Sequence, residues 1–188
     1  LGHLRLVILP PGDDLPQNAL KLIETAAERG PDFFNALGVP IQLLLSGGGP
    51  LTELYLIVHA VDGVAPGTYV YRRNERALEP LRQGDFRREA SALGLGQELP
   101  GDASFNIYYL SDLDAVVGRF GERGYRAAQI EGGILGGKAY LASYALRCGA
   151  TGLTFIDDDV TEFFSPHAAG KSVMFLMAIG RPRRREDD

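Results

Sequence analysis

Residues 125–148 read YRAAQIEGGILGGKAYLASYALRC, and the fold turns on this stretch. It has no proline and is dominated by Ala, Leu, Gln, Glu and Lys, residues that lose little on entering a helix. A long helix is therefore predicted, although each of its glycines costs about 1 kcal/mol relative to alanine. Gly132, Gly133, Gly136 and Gly137 fall at i, i+1, i+4 and i+5. That spacing places two glycines on each of two adjacent stripes of the helix, where a second backbone or a flat ligand can come close. Two readings stay open: packing inside the chain's own fold, or a subunit interface.

Upstream, Leu20, Ile23 and Ala27 stand near helical spacing between Gln17 and Arg29, and Gly30-Pro31 supplies a stop. LTELYLIVHAV (51–61) is rich in β-branched and aromatic residues, and GTYVYRRNERALEPLR (67–82) alternates and turns at Arg73-Asn74, as neighbouring antiparallel strands do. FRREASALGL (86–95) reads as a short helix, and SFNIYYLSDL (104–113) as a strand with Phe105, Ile107 and Tyr109 on one face. Downstream, TGLTFI (151–156) is a strand, and Asp157-Asp158-Asp159 opens a short helix with Asp159 and Glu162 at capping-box spacing. Those carboxylates read as caps rather than a metal cluster. KSVMFLMAIG (171–180) is a buried strand, and RPRRREDD a charged tail. The expected architecture is α+β, a mostly antiparallel or mixed sheet flanked by helices, in a single domain over 1–182 with a tail at 183–188.

Composition narrows the function. At 188 residues with 45% hydrophobic and 23% charged content, the chain can bury a substantial core. Its formal charge of −5 argues against a general attraction to nucleic acid or anionic lipid. No run approaches the roughly 18 apolar residues of a membrane span, and LGHLRLVILPPGDD lacks a basic start and a small-residue cleavage site, so a cytoplasmic protein is expected. Leu1 in place of a start Met suits a processed chain or a piece of a longer protein. Cys148 is the only cysteine and His3, His59 and His167 are dispersed, so neither disulfides nor a metal site is expected. Cys148 reads as a small buried hydrophobe, His167 as a loop residue, and Tyr108, Tyr109, Tyr125, Tyr140 and Tyr144 as core or interface aromatics. No Ser/His/Asp spacing suggests a hydrolase, and no catalytic side chain is assigned.

Four segments occur in a telling order: VDGVAPGTYVYRRNERALEPLRQGD (61–85), GRFGERGYRAAQIEGG (118–133), TGLTFIDDDVTEFF (151–164) and MAIGRP (177–182). Together they resemble the FMN-dependent nitroreductase superfamily, and within it the SagB-type dehydrogenase branch that includes azoline oxidases. The resemblance implies an α+β flavin fold in which two subunits interlock as a homodimer, with FMN at their interface and the long central helix packed against its partner. NADH or NADPH would be the electron donor, and a small molecule or peptide the substrate. The flavin carries the reaction by ping-pong hydride transfer while the protein positions it. Carried over residue by residue, the resemblance assigns Arg29 to the FMN phosphate. Ser46, Gly47 and Gly48 of SGGGPLTELY would bring backbone amides to the flavin. Gly152 and Leu153 of CGATGLTF would lie beside the ring, and Arg181 and Arg183 would be basic phosphate ligands, with a solvated basic tail as the other reading.

The same comparison exposes departures. In ERGPDFF (28–34), Gly30 and Asp32 stand where the family has Ser and Arg, and an acidic Asp32 near a phosphate is repulsive. The stretch from there to Ser46 is about 20 residues shorter than usual, judged against ordinary loop lengths. Arg119-Phe120 replaces the Lys-Tyr pair of azoline oxidases, and neither side chain can shuttle a proton near neutral pH, which disfavours that reaction. Glu131-Gly132-Gly133-Ile134 and Gly137-Lys138 replace the family's Glu-Ala-Gly-His and Gln-Asn. The alternative reading is a degenerate domain that has lost FMN and serves as a dimerisation or partner-binding scaffold.

Overall fold

The computed structural model describes residues 50–180, apart from residues 62, 74, 76, 146 and 147. The helix expected over 17–29 and the C-terminal tail lie outside the described residues. Among the described residues six strands form one sheet: β1 (Glu53–Val58), β2 (Gly67–Arg72), β3 (Ala77–Gln83), β4 (Phe105–Ser111), β5 (Gly149–Leu153) and β6 (Ser172–Gly180). Their order is β3-β2-β1-β4-β6-β5, and every neighbouring pair is antiparallel, so among the described residues the expected mostly antiparallel or mixed sheet is an antiparallel one. The helices are α1 (Arg87–Leu93), α2 (Glu98–Asp102), α3 (Leu113–Phe120), α4 (Arg123–Ala145) and α5 (Asp157–Phe164).

Alternation along the central strands sorts side chains into two cores. Leu54, Leu56, Tyr69, Ile107, Tyr109, Met177 and Ile179 pack with Leu135 and Ala139 of α4. Tyr55, Ile57, Tyr108, Leu110 and Leu176 point the other way, against Ala90 and Leu93 of α1 and Val160 and Phe164 of α5. Both faces of the sheet are covered, and all of β4 is buried, including the polar Asn106 and Ser111.

Two helices were not legible in the sequence. α3 starts at Asp112, whose side chain accepts from the Ala115 amide at 2.9 Å, and stops at Gly121, which adopts a positive φ of 64°. α2 is a short turn of helix that carries Pro100 and Gly101. In α5 the anticipated capping box is not formed: the N-cap is Ile156, and Asp157, Asp158 and Asp159 all lie in the first turn. There they favour the positive end of the helix dipole instead. Among the described residues no His, Cys, Asp and Glu side chains group as metal ligands do, and no helix is long and apolar enough to cross a membrane.

One buried hydroxyl yields a test. Tyr108 is fully buried with its ring edge-on to Phe164, its Oη has no hydrogen-bond partner among the described residues, and burial pushes the phenol well above its usual range. Tyr108→Phe removes an unsatisfied polar atom and keeps the packing. It should raise stability in urea denaturation by about 1 kcal/mol, whereas a clear loss would show that the hydroxyl is satisfied.

Candidate functional site

The glycine stripes of α4 divide their work. A Cβ at Gly132 would meet Met174 Cβ at 3.3 Å and Phe175 Cβ at 3.5 Å, and a Cβ at Gly136 would collide with the Phe175 ring. This stripe brings α4 down onto β6. A register shift between Tyr109 and Leu110 in the β4–β6 ladder lies opposite Met174 and Phe175, and such a bulge turns successive side chains toward one face. The other stripe points outward. Among the described residues a Cβ at Gly133 or Gly137 would meet nothing within 4 Å. Ile130, Leu141 and Tyr144 are exposed beside it, at 53%, 57% and 67%. Of the two readings the sequence left open, intramolecular packing accounts for Gly132 and Gly136 alone.

Glu131 fixes the other edge of this surface. Its carboxylate accepts from the Leu51 amide at 3.0 Å, the Thr52 amide at 3.0 Å and the Thr52 hydroxyl at 2.7 Å. Arg73 donates to the Thr52 carbonyl at 2.8 Å, so the residues entering β1 are gripped by an acid and a base. The sequence names Glu131 only within a stretch that departs from the family motif and assigns it no contact.

Of the expected cofactor residues, Gly152 and Leu153 are described. Both lie on the edge strand β5, opposite Met177 and Leu176. The Gly152 amide donates to the Tyr140 hydroxyl of α4, and a Cβ on Gly152 would come within 2.8 Å of the Phe175 ring. Phe175 is thus seated between Gly136 and Gly152. Leu153 is half-buried against the second core. Arg29, Ser46, Gly47, Gly48, Arg181 and Arg183 lie outside the described residues. Of the two described residues expected beside the FMN ring, Gly152 already has its amide engaged by Tyr140. The described residues alone do not assemble a flavin donor set.

The remaining candidates settle into structural places. Arg119 is exposed and stacks on the neighbouring Phe120 ring at 4.7 Å. Cys148 is half-buried against the first core, and Tyr108 and Tyr109 are core residues. Tyr125 and Tyr144 are exposed.

A protein from Anabaena variabilis assigned as a nitroreductase has a similar structure, with a TM-score of 0.72 and 30% identity over 86% of this chain. A Ralstonia eutropha protein with the same assignment matches at a TM-score of 0.68 and 17% identity, covering 97% of this chain and 78% of its own. The fold is nitroreductase-like. A chain of the E. coli microcin synthetase McbBCD complex, solved with truncated pro-MccB17, shares this nitroreductase-like fold at a TM-score of 0.66 and 17% identity, over 88% of this chain and 63% of that one. The chain spans only 33% of the length of the Anabaena protein. No protein-family model matches the sequence, and no curated protein does.

Proposed function

We propose that this chain is an FMN-dependent oxidoreductase domain of the nitroreductase type, related to the SagB dehydrogenases, working as a homodimer through the outward stripe of α4. The observation that carries the dimer is that stripe: Gly133 and Gly137 are exposed, with Ile130, Leu141 and Tyr144 exposed beside them. Glycines at i and i+4 bordered by large apolar residues allow a second helix to approach closely. Support for the chemistry comes from the shared fold and the 30% identity to the Anabaena protein.

In this reading FMN supplies two-electron chemistry when bound, with NADH or NADPH as donor and a small molecule or peptide as acceptor. Arg29, Arg181 and Arg183 would hold the phosphate, with Ser46, Gly47 and Gly48 near the ring. Leu153 would offer an apolar wall. The test is absorbance between 300 and 550 nm, before and after adding FMN and desalting. A retained flavin band supports the reading, and Arg29→Ala should then weaken FMN retention about tenfold through loss of a charge-assisted hydrogen bond. A dimer that cannot be loaded would reject it.

One observation favours a second reading, a nitroreductase-like scaffold without flavin. The Gly152 amide is bound by Tyr140 and its Cβ position is closed by Phe175, so that edge is already complete. A colourless protein that stays dimeric is what this reading expects.

A further inference from the structure

On the sheet face away from α4, a polar network closes around the 165–171 connection between α5 and β6. Lys171 Nζ lies 2.7 Å from Tyr55 Oη and 2.9 Å from Glu53 Oε1. Tyr55 Oη is 2.7 Å from His167 Nδ1 and 3.3 Å from the His167 carbonyl. On the far side of the imidazole, Arg72 Nη2 is 3.0 Å from His167 Nε2, and Arg72 Nε donates to Glu79. Strands β1, β2 and β3 thus each send a charged residue to the cluster: Glu53, Arg72 and Glu79.

Donor chemistry fixes every proton here. A guanidinium can only donate, so His167 Nε2 must present its lone pair to Arg72. The neutral ring then carries its hydrogen on Nδ1 and donates it to Tyr55 Oη. That oxygen also accepts from the Lys171 ammonium, which leaves the phenol proton to the His167 carbonyl. A second proton on the imidazole could sit only on Nε2, pointing at the Arg72 guanidinium. The two carboxylates nearby offer little relief, because Glu53 is held by Lys171 and Glu79 by Arg72.

We propose that the α5–β6 connection is a histidine-gated clasp, closed while His167 is neutral and opened when Nε2 takes a proton. Burial lowers the affinity of His167 for that proton, and the charges of Lys171 and Arg72 lower it further, outweighing Glu53 and Glu79. The folded-state value therefore lies below the ordinary imidazole value of about 6.5, and the unfolded chain is protonated first as the solution is acidified. The stability contributed by the clasp is whole above about pH 6.5 and is lost as pH falls through the folded-state value.

The test is nitrogen-15 NMR of the histidines in the full chain, with hydrogen exchange of residues 165–171 followed from about pH 7.5 to 5.5. At neutral pH, His167 should show a pyridine-like Nε2 and a pyrrole-like Nδ1. After correction for intrinsic chemical rates, exchange in 165–171 should rise several-fold on acidification, with a ceiling of about tenfold set by one histidine, while β1 and β4 stay protected. His167→Gln, which cannot gain a proton, should lose this pH response. A hydrogen on Nε2 at neutral pH would overturn the proposal, as would a wild-type exchange profile flat across the range. If the variant does not fold, the wild-type tautomer and exchange profile decide the matter by themselves.

Discussion

Gly136→Leu is expected to destabilise the fold by about 3 kcal/mol, while Gly137→Leu, one position along the same helix, leaves it folded. At Gly136 even a Cβ collides with the Phe175 ring, and that ring cannot retreat, because Gly152 already admits it to 2.8 Å from its own Cβ position. A leucine must therefore push α4 off β6. At Gly137 the Cβ enters open space, and exchanging glycine for leucine in a helix stabilises it by a few tenths to about 1 kcal/mol. The proposed dimer should suffer instead: Gly137→Leu should sediment as a monomer at concentrations where the wild type associates. Thermal unfolding and sedimentation velocity on the pair separate the two roles. Equal stability of the two variants would show that Phe175 yields, and an unchanged oligomeric state in Gly137→Leu would remove the outward stripe from the interface.

The second large effect is Glu131→Ala, expected to cost about 3 kcal/mol. Its carboxylate is the acceptor for the amides of Leu51 and Thr52 and for the Thr52 hydroxyl, and Leu51 and Thr52 are both buried. Truncation leaves these donors without that acceptor in a place water cannot easily reach. Glu131→Gln keeps one acceptor oxygen and should recover part of the loss. Urea midpoints for the pair provide the measurement, and a Glu131→Ala protein as stable as the wild type would mean that the start of β1 finds other acceptors.

The long helix, the β2–β3 turn and the face shared by Phe105, Ile107 and Tyr109 were legible because each is a local pattern: helical spacing, a turn bracketed by alternation, a period of two. α3 was not, since its LDAVVGRF carries a glycine and two β-branched valines. Its stability comes from packing on α4, where Gly124 lies under Val116. The glycine pattern showed that two stripes exist, but which one faces β6 is set by Met174 and Phe175, far along the chain. His167 read as an ordinary loop residue because its partners Tyr55 and Arg72 come from other strands. Tyr140, which takes the amide of Gly152, left no sequence signal beyond its type.

The central strand β4 finds its neighbours β1 and β6 only across long stretches of intervening chain, whereas β2 and β3 are joined by a short turn. Folding rate falls as contacts become less local, so the β2–β3 hairpin and the α3–α4 pair are expected to form early and the pairing of β4 with β6 late. In that interval Phe105–Ser111, a largely apolar segment with two bare edges, is open to self-association. Refolding yield should therefore fall steeply with protein concentration, and the residue types that make β4 a secure centre of the finished sheet are those that make it hazardous before β6 arrives.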